Sequence, residues 1–319
     1  MQFQRPIEKE TLVANSSSVK KWFQRISVLV LSLFLLTGVA AGSAWWYWHP
    51  SHQRTDGVVY GQRGDQKLTM DVIRPSRPNG LAVALMVSGG WRSQEPGEFP
   101  TWMMAPVLRR GYTVFAICHV SQPEASVQEI VADMKRGIRY IRQNAEQYGI
   151  DPNRIGVTGG SAGGHLSLML ATRGDPGDPH ATDEIDRYSS QVQAVAIFYP
   201  VTDLVDLGDS TENLRDGGPP KSFVNSFGPD GQDLQKWPDI ARELSPLHFV
   251  NQSLPPTLIY HGDADTLVPL DQSIRFRDRA QQLQRPVQLV VHSDGAHGWL
   301  TMPWDIRAFA NWFDQHLQD

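Results

Sequence analysis

From Leu68 onward the chain alternates short apolar runs rich in Val and Ile with stretches of helical periodicity. That pattern directs the fold towards a mostly parallel sheet covered on both faces, because such strands are buried on both sides and need crossover helices between them. The strand candidates are 68–73, 81–87, 112–118, 154–158, 194–199, 257–260 and 287–291. The clearest helix covers about 126–148, where Val127, Ile130, Val131, Met134, Ile138, Ile141, Ala145 and Tyr148 recur at spacings of three and four. Gly149 follows where a left-handed cap would sit, and Lys135, Arg136, Arg139 and Arg142 form a solvated face. A second helix is expected at about 162–171 and a last one at about 303–317, with Ile306, Phe309, Trp312, Phe313 and Leu317 inward. Of the 319 residues 40% are hydrophobic, enough for a sizeable core without requiring a second one. Between the runs 194–199 and 257–260 the alternation breaks. The stretch 201–251 is rich in Gly, Pro, Asp and Asn and reads as a lid or binding insertion, or as a surface excursion.

The N-terminal part differs. Residues 1–25 are polar and end in Lys20, Lys21 and Arg25, after which 26–48 carry no charge. As a helix that run is about 35 Å long, slightly more than the ~30 Å hydrocarbon core of a bilayer. Basic residues on its N-terminal side place that end in the cytoplasm, and Trp45, Trp46, Tyr47 and Trp48 suit the opposite interface. We read 26–48 as a transmembrane signal anchor, 1–25 as a cytoplasmic leader, 49–57 as a linker and 58–319 as an exported domain. A cleaved signal peptide processed near Gly42 and Ala44 is the alternative, which would make the protein secreted. A buried core helix fits the basic flank and the aromatic cluster less well.

Composition removes other classes. The formal net charge is -5 with scattered Lys and Arg, so nothing suggests a nucleic-acid footprint. The single cysteine, Cys118, lies in an apolar run and excludes an internal disulfide or a cysteine metal cluster. No spaced set of His, Asp and Glu suggests a metal, and no cofactor is implied.

The stretch TGGSAGGHL, 158–166, joins a strand candidate to a helix candidate. A phosphate loop fails there: Gly159 and Gly164 have the spacing, but His165 and Leu166 stand where the lysine and the hydroxyl belong. A dinucleotide fingerprint fails on spacing and on position in the sheet. What remains is G-x-S-x-G, Gly159 to Gly163, in which small residues flank a serine held in a strained turn. Alone this motif is weak. Its weight rises because an acid and a histidine follow in the order Ser, Asp, His, each beyond the end of a strand candidate: HGDADTLVP (261–269) and DGAHGW (294–299).

With these segments the chain resembles the α/β-hydrolase superfamily, in its esterase/lipase branch of the feruloyl-esterase-like (BD-FAE) type near the acetyl-xylan esterases. RYIRQNAEQYGIDPNRIGVTGGSAGGHLSLMLAT carries the closest likeness, which extends from about residue 58 to the end. The resemblance implies an α/β-hydrolase fold and a serine ester hydrolase, acting on carbohydrate or other small carboxylic esters. It implies a triad of Ser161, Asp265 and His297, with Asp263 a structural turn residue and His261 and His165 orienting backbone. Gly159 and Gly163 make the elbow. The Ala162 amide is the first candidate for an oxyanion donor, because it follows the serine. Where relatives show H-G-G-G-W this chain has Val87-Ser88-Gly89-Gly90-Trp91, so the second donor is expected from Gly90 and next Gly89, with Ser88 partly replacing the missing histidine. His119 is a minor candidate for the site wall. Two other readings stand beside the esterase: a serine peptidase, though related peptidases usually carry a large N-terminal domain, and a catalytically silent binding module, though no triad member is lost.

Overall fold

The computed structural model describes residues 10–318, with side chains from Ser18 onward. The chain divides into two units at the His49–Pro50 junction. The first contains α1 (Glu10–Trp48), within whose stretch Ser18–Trp48 an 18-residue window has a mean hydropathy of 2.1 and is not buried. By length and composition that stretch can cross a membrane, as a signal sequence also could. Residues 1–9 of the expected leader lie outside the described residues. From Glu10 the leader is helical rather than a separate segment, since no Gly or Pro interrupts 10–25.

The second unit runs β1 (His52–Arg63), β2 (Gln66–Pro75), β3 (Ala82–Met86), α2 (Ala105–Arg109), β4 (Thr113–Ile117), α3 (Val127–Gln143), α4 (Ala145–Tyr148), β5 (Ile155–Gly160), α5 (Ala162–Arg173), β6 (Ala194–Phe198), α6 (Trp237–Glu243), β7 (Thr257–Gly262), α7 (Asp271–Gln282), β8 (Val287–His292) and α8 (Met302–Leu317). One eight-stranded sheet has the order β1-β2-β4-β3-β5-β6-β7-β8. The β1–β2 and β2–β4 pairs are antiparallel and every other pair is parallel.

The pleat sorts neighbouring residues onto two apolar layers. Ala82, Ala84 and Met86 of β3 join the layer of α3 and α5, while Val83 and Leu85 join the layer of α2 and α8. Continuous apolar runs such as AVALM are what a strand buried on both faces requires. Helix α3 starts at a capping box in which Ser126 Oγ accepts from the Glu129 amide and the Glu129 carboxylate accepts from the Ser126 amide. The helical stretch expected at about 126–148 breaks once at Asn144, and Gly149 then ends α4 at φ 64°.

The expected linker is a correction. Residues 52–57 are the first half of β1, which pairs with β2 from His52↔Pro75 onward. Asp71 fixes that pairing: its buried carboxylate accepts from Arg54 Nη2 at 2.8 Å, the Gly57 amide at 3.0 Å and the Gly97 amide at 2.9 Å.

The stretch 201–251 contains α6 and short 3-10 turns. It is bound to the domain at both ends. The Gln272 Oε1 of α7 accepts from the amides of Thr202 (2.9 Å) and Asp203 (2.7 Å), and its Nε2 donates to Asp203 O and Asp206 O. At the far end Leu244 O accepts from His165 Nε2 of α5 at 2.7 Å, and Ser245 Oγ accepts from the Leu204 amide at 2.7 Å, tying the two ends of the stretch together.

Candidate active site

Ser161 sits between β5 and α5 at φ 54° and ψ -119°, a conformation that L side chains rarely adopt. The turn is tight because the backbones on either side nearly touch. A Cβ on Gly159 would lie 2.5 Å from the Gly163 carbonyl carbon, and one on Gly163 would lie 2.6 Å from Met86 O. Glycine is required at both places by close approach, and the sharp turn holds the serine hydroxyl above the sheet edge.

The structure brings together the three residues that the sequence separates widely. His297 Nε2 lies 2.9 Å from Ser161 Oγ, and His297 Nδ1 lies 2.7 Å from Asp265 Oδ2. The other carboxylate oxygen of Asp265 accepts from the amides of Leu267 (3.0 Å) and Val268 (2.9 Å). Burial alone would raise this carboxyl, but hydrogen bonds from His261, His297 and the Val268 amide outweigh it and hold the group well below the usual carboxylate range. The carboxylate therefore stays ionised and accepts the Nδ1–H of His297, which leaves Nε2 lone-paired towards the serine.

Flanking residues hold these loops in place. His261 is fully buried, with Nε2 2.7 Å from Val268 O and 3.4 Å from Asp265 Oδ2, while Nδ1 meets Ser273 Oγ at 2.7 Å. Because a carbonyl only accepts, Nε2 carries the proton and Ser273 donates to Nδ1. Asp263 Oδ1 accepts from the Asp294 amide at 2.7 Å, lacing the acid loop to the histidine loop. His165 Nε2 donates to Leu244 O at 2.7 Å and its Nδ1 accepts from Trp91 Nε1 at 3.2 Å. His119 lines no part of the pocket; it is buried behind it, where Nε2 meets Ser88 Oγ at 3.0 Å. Ser88 thus has a histidine partner from elsewhere in the chain.

Two loops meet at the serine. The Gly163 amide donates to Ser88 O at 3.1 Å, which pins the start of α5 to the loop after β3. Ala162, at the first position of α5, has no intrahelical acceptor for its own amide. In the facing loop the expectation for Gly89 is corrected: its amide donates to Arg92 O at 2.9 Å and is engaged within the loop. Gly90 stays on the pocket wall at φ 56°, beneath the Phe223 ring, which a Cβ there would approach to 2.8 Å.

The pocket over Ser161 has a volume of about 410 Å³. Its apolar wall comes largely from Val201, Leu204, Leu207, Phe223 and Val268, so the stretch 201–251 forms much of one side. Glu212 is the one carboxylate in the lining among the described residues. Tyr199, which sequence reasoning left as the end of a strand, also lines it. Its φ of 30° is strained for a bulky residue, and its ring centroid lies 4.4 Å from that of His297. The signal that could have drawn attention to it is the following proline, Pro200, which restricts the backbone just where β6 ends.

With this geometry in hand, comparison with known proteins is decisive on kinship. The profile of the BD-FAE family matches residues 70–280. The chain belongs to the BD-FAE family. Esterase LipQ of Mycobacterium tuberculosis is 28% identical over 228 residues, covering 70% of this chain and 52% of LipQ. An acetylxylan esterase of Xylanibacter ruminicola is 25% identical over 260 residues, covering 80% of this chain and 47% of that enzyme. The chain thus spans about half the length of these curated relatives. A truncated carbohydrate esterase from gut microbiota superposes with a TM-score of 0.70 at 24% identity, over 84% of this chain and 97% of its own, so the fold is that of the α/β-hydrolases. The family profile spans β5, the serine turn and the Asp265 loop, and stops short of His297.

Proposed function

We propose that this protein is a serine carboxylic-ester hydrolase in which Ser161 is the nucleophile, His297 the general base and acid, and Asp265 the residue that orients His297. The observation that carries this reading is the pair of hydrogen bonds through His297, 2.9 Å to Ser161 and 2.7 Å to Asp265, at the floor of an apolar pocket. Kinship with LipQ and with an acetylxylan esterase supports the same reaction class.

Ser161 Oγ attacks the ester carbonyl carbon while its proton passes to His297 Nε2. Negative charge moves to the carbonyl oxygen, where the amides of Ala162 and Gly90 donate to it; one such donor is worth about 3 to 4 kcal/mol. When the intermediate collapses, the C–O bond to the alcohol breaks and the leaving oxygen takes the proton from His297. Water then repeats the sequence on the acyl-serine and releases the carboxylic acid. Throughout, ionised Asp265 holds the imidazole tautomer and stabilises the imidazolium.

A pocket of about 410 Å³ with an apolar wall suits small carboxylic esters, esters of carbohydrates among them. The stretch 201–251 acts as the cap that selects the substrate. The N-terminal helix anchors the protein, with Lys20, Lys21 and Arg25 on the cytoplasmic side and the catalytic domain exported.

The test is hydrolysis of nitrophenyl esters graded from acetate to octanoate, with serine labelling by a fluorophosphonate. We expect the short esters to be turned over, the serine to label, and Ser161→Ala to lower kcat by about 10⁴-fold or more. Turnover that survives Ser161→Ala, or an unlabelled protein, would sink the mechanism.

A further inference from the structure

The proposed reaction creates a cation twice per turnover, on the imidazole of His297. Asp265 faces one ring edge and Ser161 the other, which leaves the ring faces. One is covered by an aromatic ring: the Tyr199 centroid lies 4.4 Å from that of His297, with the planes 49° apart. Tyr199 stands immediately beyond β6 on backbone that no bulky residue adopts readily, at φ 30°, and its amide donates a hydrogen bond to Tyr260 O at 2.8 Å. Strain of this kind persists only where surroundings enforce it. The hydroxyl lies 3.7 Å from Met302 Sδ, and burial pushes it up to about 12, so the side chain remains neutral across the working range. What the backbone strain delivers to the site is an aromatic ring, its centroid 4.4 Å from that of His297.

We propose that Tyr199 is a positioning residue that stabilises the His297 imidazolium through a cation–π contact. This rests on the ester-hydrolase reading and deepens it. A cation within about 6 Å of a ring centroid is attracted by the ring quadrupole, increasingly so when water is excluded. The other titratable and polar groups around His297 are Asp265, at 2.7 Å; Ser161, at 2.9 Å; and His261, which shares Asp265 at 3.4 Å; Glu212 is a further carboxylate in the pocket lining. Asp265 is already ionised well below the pH range in which an imidazole titrates, so it adds a constant field there.

The experiment compares wild type, Tyr199→Phe and Tyr199→Leu in the pH dependence of kcat/KM, whose acid limb reports the imidazolium of the free enzyme. Tyr199→Phe keeps the ring and should leave that limb in place. Tyr199→Leu keeps apolar volume without a ring. Its limb should move to lower pH by about 0.4 to 1.5 units, and kcat should fall about 2- to 30-fold. Should the leucine variant fold poorly, phenylalanines of increasing ring fluorination at position 199 keep the shape while weakening the quadrupole, and the limb should move stepwise. A limb that stays fixed in Tyr199→Leu or along the fluorinated series overturns the proposal, even if kcat drops. A wild-type protein without esterase activity would instead overturn the reading beneath it, so the two failures are distinct.

Discussion

His165 is neutral for a geometric reason: one ring nitrogen donates to Leu244 O and the other accepts from the Trp91 indole N–H. A second proton would set donor against donor inside a fully buried site. Burial accordingly lowers its pKa to about 4, and burial lowers that of His119 to about 4 as well. Because these groups bind protons more readily when unfolded, their stability contribution is complete above about pH 6.5 and is lost as the pH falls towards 4. Each should cost on the order of 2 kcal/mol between pH 7 and 5. Urea midpoints at the two pH values should show the loss, and His165→Gln should roughly halve it, leaving the His119 part; an unchanged slope in that variant would place the effect elsewhere. At this scale much of the site could be read from residue order alone. Ser161, Asp265 and His297 carry motif signatures on their flanks, whereas Tyr199 and Phe223 do not, because what matters about them is where a strained backbone or a packed insertion puts a ring. Gly89 was misjudged for a related cause. A sequence identifies an amide but not the carbonyl that already engages it.

Among the elements, the stretch 201–251 is the one whose shape bears most directly on the pocket. Phe223 packs edge-on against Trp91, ring centroids 5.3 Å apart, and lies over Gly90. The insertion therefore supports the loop to which the proposed mechanism assigns an oxyanion donor, as well as lining the pocket. Phe223→Ala should lower kcat/KM about 10- to 100-fold, since small misplacements of reacting groups carry such penalties. Stability should change by only about 1 to 2 kcal/mol because the ring is part-exposed. Ester kinetics alongside urea unfolding will separate the two, and a variant that loses stability but keeps kcat/KM would remove the supporting role. Strands β3 to β7 were visible as apolar runs because they are buried, and β2 and β8 because their apolar residues still form such runs although β8 buries only Val287 fully. Strand β1 was not: its residues are mostly exposed, so HQRTDG carries neither an apolar run nor an alternation and reads as linker.

At the scale of the molecule, the mostly parallel sheet with two apolar layers follows from composition of the runs, and the order of the strands does not, since pairing depends on crossovers that leave no local mark. The apolar helix was likewise plain in the sequence, although its continuation through 10–25 was not. If it anchors the protein as proposed, the full chain should stay with membranes after alkaline carbonate extraction, and protease added from the far side should reach the domain. Release of the protein by carbonate would refute the anchor. The His297–Ser161 hydrogen bond joins residues 136 apart in the chain, and His297 itself lies near the end of 319. No length of this chain that stops before His297 holds all three residues of the proposed triad, so under that mechanism activity requires residues spread from Ser161 to His297 to fold as one unit.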